Sequence, residues 1–561
     1  MDRRQWNLLR RVLMAGLLSL AACSGKGSPA DAGPTDAGGD AGKDAGVDAG
    51  PADAGSPPKA TFRLLHAVAD SSTTKFDVYV RSMTMPTTSV ATGVAYNGAS
   101  DPIQVSPGFY NIELRPSGSP ATSAAVLQTP FVNLTTDMST TFIAAGLLSN
   151  ADPAKSARIL VIKDVFDLPD NISTQIRVVN ASPDSVALSA STGGDGAFNV
   201  KPLAPFAVSP AGGFPVPATA FAVRLGTGTP PAQTLATFPT ISTSPCILWN
   251  YVVITGLYGG KPQKDSSLTE VLLPATGPAV SIKQNPVFYG LNLSSDQPAV
   301  DAFFTSTFDN PVAVPNSNCD ATPDAGIPTD AGTPGDAGTV DAGTPPPPQP
   351  PPPTIAKLLS QLRPEMLGGP ISLPPADHLT IDFYPHSGSL TPPTATPLAS
   401  VTVDHVVAQQ NYLVMLSGSG LAATPTINAK IVQEGFSPDA SNPTNTLVRL
   451  YDAASNWGSL TLVDTDGTAF AQGKFTNVAY GSDSGAAGVS TTPKNVHIGV
   501  TGTQGTTTQL VFTTALLPSQ TVFLIPVDNA SVTPPQSLLL LDTTQPRWLL
   551  SVLAADVVLP N

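Results

Sequence analysis

His378, Asp382 and His386 recur at a spacing of four and have the side chains of a metal-ligand set. Asp464-Thr465-Asp466-Gly467 has the opening of a calcium loop. Both readings depend on the element that carries them. Leu379, Ile381 and Phe383 alternate through the first motif, which makes it a strand. On a strand, residues four apart lie about 13 Å from one another, too far to share one ion, so the polar residues form the solvated face of a sheet. The second motif lacks the downstream bidentate carboxylate, and an Asp-Gly hairpin turn between LTLV and TAFA accounts for it. The sequence contains no phosphate-cradling glycine loop, no H-E-x-x-H and no G-x-S-x-G. GSDSG at Gly481 and SGSG at Ser417 have the wrong spacing for a nucleophile elbow. His405 and His497 have no recognisable partner. No catalytic residue, metal or cofactor is expected.

A different set of polar residues recurs. FRLLHAVAD, IRVVNASPD, VFYGLNLSSD and VRLYDAASN each run from an apolar stretch into a short polar residue, His66, Asn180, Asn292 and Asp452. Four positions later comes a second one, Asp70, Asp184, Asp296 and Asn456. Short polar side chains bond nearby backbone N–H groups where a strand stops, so each pair reads as an Asx-type turn. Asp77 and Asp301 recur at matching positions on the following strand. With His66, Asp70, Asn180, Asp184, Asn292 and Asp296 they are candidates for turn bonding or for a shared surface site.

The elements that carry these residues repeat four times. FDVYV, GVAYNG, the alternating Tyr110, Ile112 and Leu114, FIAAG and ARILVIKD follow the first opening strand, and comparable strands follow the others. Period-2 alternation in runs of five to seven residues, separated by Gly, Pro, Ser and Thr, predicts antiparallel strands with one buried face. Seven or so strands in about 100 residues predict two sheets packed face to face. The fold class is therefore all-β: four tandem antiparallel, immunoglobulin-like β-sandwiches at residues 60–173, 174–280, 281–443 and 444–561, joined by disordered Asp-Ala-Gly and Pro-rich linkers. A proline-rich tract at 320–353 reads as an insertion in the third unit, whose alternating strand at Leu379 lies beyond it; the alternative is a plain boundary there, with Val280 to Phe304 as trailing strands of the second unit. Ile355, Leu358, Leu359 and Leu362, with Pro364 after them, predict one short amphipathic helix re-entering the fold.

The chain has 27 basic and 41 acidic residues, a net charge of −14, which excludes an electrostatic case for nucleic acid. Arg3, Arg4, Arg10 and Arg11 precede an apolar run, Val12 to Leu20, too short to span a bilayer and laid out as a secretory signal. Residues 20–23, Leu-Ala-Ala-Cys, resemble the lipobox of bacterial lipoproteins. That resemblance implies cleavage after residue 22, a lipid on Cys23 and, with Ser24 next, sorting to the outer membrane. Residues 23–59 carry six Asp-Ala-Gly units and have too little apolar surface to order. Such a tether reaches about 30 to 35 Å on average. Cys246 and Cys319 remain, an even number in an oxidising compartment, and the sequence leaves open whether they bond.

RVVNASPD, the FDVYV or AVDAFF strand, a GVAY-like strand, the alternating strand after Gly108 and a Thr-rich strand ending in Gly together resemble the family of domain of unknown function 4397. The resemblance covers most of residues 61–542 and implies extracytoplasmic β-rich modules in tandem, without catalytic residues to carry over. The expected function is that of a non-enzymatic lipoprotein, anchored by its lipid and facing outward or into the periplasm, whose modules bind a glycan, matrix or protein partner. The alternatives are a spacer or assembly component of the envelope without a ligand, or a hydrolase using the polar loops.

Overall fold

The computed structural model describes residues 58–560 except Asp137, 168–172, 193–197, 228–232, 243–248, 260–266, 309–311, 314–352, 420–426, 437–444, Asn456, 464–474, 490–495, 502–506, Thr513, Ala515, 529–535, Pro546 and 555–556. The signal and tether with Cys23, the other two cysteines Cys246 and Cys319, the Asp464 to Gly467 turn and residues 320–352 of the proline-rich tract lie outside these residues.

Four modules repeat one strand arrangement. The opening strands Ala60–Val68, Ser173–Asn180, Val287–Ser294 and Thr446–Leu450 pair in parallel with Thr140–Gly146, Trp249–Thr255, Asn411–Gly418 and Thr521–Asp528 respectively. An antiparallel strand flanks each parallel partner: Arg158–Lys163, Thr269–Pro274, Asn428–Gln433 and Gln536–Asp542. The second sheets centre on Phe76–Ser82, Leu188–Ser191 and Val300–Phe308, each between two antiparallel neighbours, and in the fourth module on Ser459–Val463 with Val496–Thr501 and its neighbours. The all-β sandwich class expected from the alternation is present, with one mixed pairing per module. A parallel neighbour needs a crossover of a dozen or more residues, and in each module strands of the second sheet supply most of it.

The third module closes across the proline-rich tract. Val287–Ser294 pairs with Leu367–Ser372 and Asn411–Gly418, and Val300–Phe308 pairs with Thr354–Leu362 and Ala376–Pro385. Modules follow one another closely, since Val280–Lys283 ends the second and Val287 opens the third. The low-complexity tracts thus fall before the first module and inside the third, rather than at this junction.

The segment expected as a helix, Thr354–Leu362, is a strand. Register shifts between Val300 and Ala302 and between Ala302 and Phe303 each insert an extra residue opposite the partner strand. The two bulges bring Leu358, Leu359 and Leu362 to the buried side while Ile355 stays exposed, which produces apolar residues at helical spacing on an extended chain. Leu359 and Leu362 pack over Gly290 and Gly368, which face one another in the first sheet.

The opening strands and their parallel partners are buried on both faces, not one. Phe62 and Leu64 belong to the first module's own core with Val78, Ile112 and Phe142. Leu65, Ala67, Ile143 and Ala145 point the other way, onto Val179, Tyr251, Val253, Val271 and Leu273 of the second module. The third and fourth modules do the same through Leu291, Leu413 and Met415 against Phe523, Ile525, Leu539 and Trp548. The first sheets of neighbouring modules are therefore stacked, giving two four-layer pairs. This is why runs such as RVV, FIAA, YVVI and VFLI do not alternate: strands covered on both sides read as continuous apolar sequence.

Candidate functional site

The recurring polar residue at the end of each opening strand makes one structure four times. Asn180 Oδ1 accepts from Ser182 N at 3.2 Å, Asn292 Oδ1 from Ser294 N at 3.1 Å, and Asp452 Oδ1 from Ala454 N at 3.0 Å. His66 reproduces this with Nδ1, which accepts from Val68 N at 3.3 Å. The other arm reaches a neighbouring loop: Asn180 Nδ2 donates to Leu203 O at 3.0 Å, Asn292 Nδ2 to Leu362 O at 3.2 Å, and His66 Nε2 bonds Thr74 O at 3.1 Å. Burial holds the His66 imidazole down at about 4, against the opposing pull of its backbone bonds to Thr74 and Ser71. It is a neutral ring in the role of an asparagine.

The second polar residue latches the loop that follows the parallel partner strand. Asp70 accepts from Leu148 N at 2.8 Å and Ser149 N at 2.9 Å. Asp184 accepts from Tyr258 N at 2.7 Å and Gly259 N at 3.2 Å. Asp296 accepts from Ser294 Oγ and Ser419 Oγ, both at 2.8 Å. Asp77 braces the strand Thr88–Val94 through Gly93 N at 2.8 Å and a turn through Gly118 N at 3.0 Å. Asp301, fully buried, takes Gln361 N at 2.9 Å, His386 Nδ1 at 2.8 Å and Lys357 Nζ at 3.0 Å. Burial alone would raise the Asp301 carboxyl, but the bonds from Gln361, His386, Lys357 and Ser387 override it and hold the group well below the ordinary carboxylate range.

These residues do not assemble a shared surface site. Each uses its polar atoms inside its own module, and His66, Asp77, Asn180, Asn292 and Asp301 are buried. Of the alternating set, His378 is exposed and pairs with Asp404 at 2.7 Å, while Asp382 accepts from Ser400 Oγ at 2.5 Å. His386 departs from the solvated face expected for it, because the strand ends at Pro385 and the chain turns the ring onto Asp301. Among the described residues no group of three or more His, Cys, Asp or Glu side chains is placed to hold a metal.

One recurring position went unread in the sequence. Three residues before each Asx residue stand Arg63, Arg177, Tyr289 and Arg449, and each reaches the neighbouring module. Arg63 donates to Pro274 O at 2.8 Å and Gly277 O at 2.7 Å, and Arg177 to Lys163 O at 3.0 Å. Arg449 donates to Gln433 O at 2.6 Å and Glu434 O at 3.0 Å. Tyr289 stacks on Trp548 with ring centroids 4.2 Å apart. In each pair the clasp is reciprocal. The signal was an arginine recurring inside three otherwise apolar strands, where an unpaired charge is costly.

Where the second, third and fourth modules meet, a cleft of about 490 Å³ opens, its walls including Arg224, Thr234, Thr237, Tyr258, Ser372 and Arg547. Among the described residues no Asp or Glu lines it.

The fold and its repeated turn define a class: an all-β protein of sandwich modules, each wound around a parallel strand pair. Within it, residues 60–191 match the family model described as Domain of unknown function (DUF4397), the family that the opening motifs resemble. The match takes in the first module and the first two strands of the second. No curated protein matches the chain. Among solved structures the chain is similar to the Bacillus anthracis TIE protein, at 7% identity and a TM-score of 0.12, with 64% of this chain and 50% of that one covered. The chain thus spans about half the length of that protein.

Proposed function

We propose that the protein is a non-enzymatic lipoprotein of the outer membrane, held by a lipid on Cys23, whose stacked modules form a rigid platform that binds a glycan, a matrix component or a protein partner. The observation that carries this reading is the use made of the repeated polar residues. Asp70, Asp184 and Asp296 hold loops of their own modules, and Arg63, Arg177 and Arg449 hold the neighbouring one. The repetition therefore supports stiffness, and leaves recognition to what differs between modules and to the spaces between them. Face-to-face stacking also favours a platform over a spacer, since a spacer gains reach by joining modules end to end and stacked sheets shorten it.

Two measurements test the reading. Cells producing the full chain should incorporate labelled fatty acid into it, and Cys23→Ala should abolish the label and release the protein from the membrane fraction. The purified full chain should bind components of an envelope and matrix glycan array or intact partner cells above background. Membrane retention without Cys23, or a blank against both arrays and cells, would overturn it.

A further inference from the structure

We propose that the cleft between the second, third and fourth modules binds a carboxylate-bearing sugar, the uronic-acid unit of an anionic polysaccharide. This deepens the binding reading above and rests on it. The volume, about 490 Å³, falls inside the roughly 300–1,000 Å³ of small-molecule sites. Among the described residues the lining holds two arginines and no acidic residue, although the chain as a whole carries a net charge of −14. The local sign of charge is thus opposite to that of the protein, the arrangement that concentrates an anion in a cleft.

Arg224 supplies the specific contact. Its Nε and Nη2 are buried without a hydrogen-bond partner, and the guanidinium lies 4.8 Å from the centroid of the Phe198 ring. Those two nitrogens form one edge of the guanidinium fork, the edge that takes a carboxylate through two parallel N–H···O bonds. Arg224 itself stands on the wall of the cleft. Thr237 stands directly across the sheet from Arg224, and Thr234 across from Gly226. Together with Ser372 and Gln545 they present groups that both donate and accept. Such a lining suits a ring of hydroxyls, each of which donates and accepts, better than a compact inorganic anion, whose oxygens mostly accept. Arg547 stands on the wall formed by the fourth module and Arg224 on that of the second, so one acidic saccharide bridges them.

Calorimetry on the full chain tests this with digalacturonic acid, its neutral counterpart digalactose, and inorganic phosphate. The acidic disaccharide should bind and the neutral one bind at least about tenfold more weakly, the scale of a charge-assisted bidentate contact. Arg224→Gln and Arg547→Gln should each weaken the acidic disaccharide about tenfold with unchanged melting temperature. Arg224→Lys, which keeps the charge and loses the fork, should recover only part of the affinity. Equal binding of both disaccharides, indifference to all three substitutions, or phosphate binding as tightly with the same arginine dependence would overturn the assignment. If the chain captures other glycans or cells while digalacturonic acid fails to bind, the cleft assignment falls and the platform reading stands. A blank in every assay sinks both.

Discussion

Asn180 and Asn292 each offer one acceptor and an amide donor at the end of an opening strand, and His66 matches both with its two ring nitrogens. Asp452, once ionised, has the acceptor but no hydrogen to give. Its Oδ2 is buried without a partner, and burial, opposed by the Ala454 N–H and helped by the nearby Asp528, pushes its carboxyl up to about 7 from an ordinary 3.8. The unfolded chain therefore releases this proton first, so the contribution to stability is complete below about pH 4, declines as the pH rises to about 7 and is level above that. Asp452→Asn should stabilise the fourth module at pH 8 by about 1–3 kcal/mol, the cost of a buried unsatisfied group, and do little at pH 4. Denaturant melts at the two pH values check this, and a variant no more stable at pH 8 would refute it. Glu270 poses the same problem more severely. Both its oxygens lack a partner in the second module, and burial pushes it up to about 8 from 4.5. Its penalty grows between about pH 4.5 and 8, so Glu270→Leu should raise stability on the order of 3 kcal/mol at pH 9 and much less at pH 5. Equal gains at both would mean that the carboxyl is hydrated.

At the scale of the element, the end of the parallel partner strand decides whether the Asp latch can form. Gly146 closes the strand Thr140–Gly146 at φ +107°, and a Cβ there would lie 2.6 Å from Ala157 Cα and 2.7 Å from Ser156 O. Gly256 and Gly418 take positive φ at the corresponding places. Gly146→Ala combines left-handed strain with a backbone clash and should cost about 2–4 kcal/mol. It should also loosen the Leu148 and Ser149 amides that Asp70 holds, read by hydrogen exchange; unchanged exchange there would uncouple strand end from latch. The strands themselves were legible, because Tyr110, Ile112 and Leu114 or Leu379, Ile381 and Phe383 alternate at the period of a half-buried sheet. The turn residues were legible from type and spacing alone. The bulged strand at Leu358 was not, since two inserted residues convert a period of two into apparent helical spacing. Nor was the role of Arg63, Arg177 and Arg449 legible, although all three stand inside the motifs. What an outward side chain bonds depends on which module faces it, and no local pattern encodes that.

The pairing of modules sets how the whole molecule should come apart. Leu65 and Ile143 of the first module and Val253, Val271 and Leu273 of the second are fully buried only because the two sheets cover each other. Fully burying one such side chain contributes about 1.5–3 kcal/mol. Arg63, Arg177 and the bond from Tyr251 to Asp164, at 2.8 Å, fix the register of the stack. Separating the sheets would expose this apolar face and leave those polar groups to be satisfied by water. The first two modules should therefore unfold as one cooperative block and the last two as another, giving two transitions instead of four independent ones. Val271→Glu places a charge on the face that meets the first module while leaving the interior of the second untouched. It should lower hydrogen-exchange protection throughout both the first and second modules and leave residues 287–542 unaffected. Loss confined to the second module would show that the sandwiches are thermodynamically separate, and loss spreading to the fourth would show that the two pairs form a single block. Only the intermediate outcome fits a chain in which one recurring position, arginine in three modules and Tyr289 in the third, clasps sandwiches two by two.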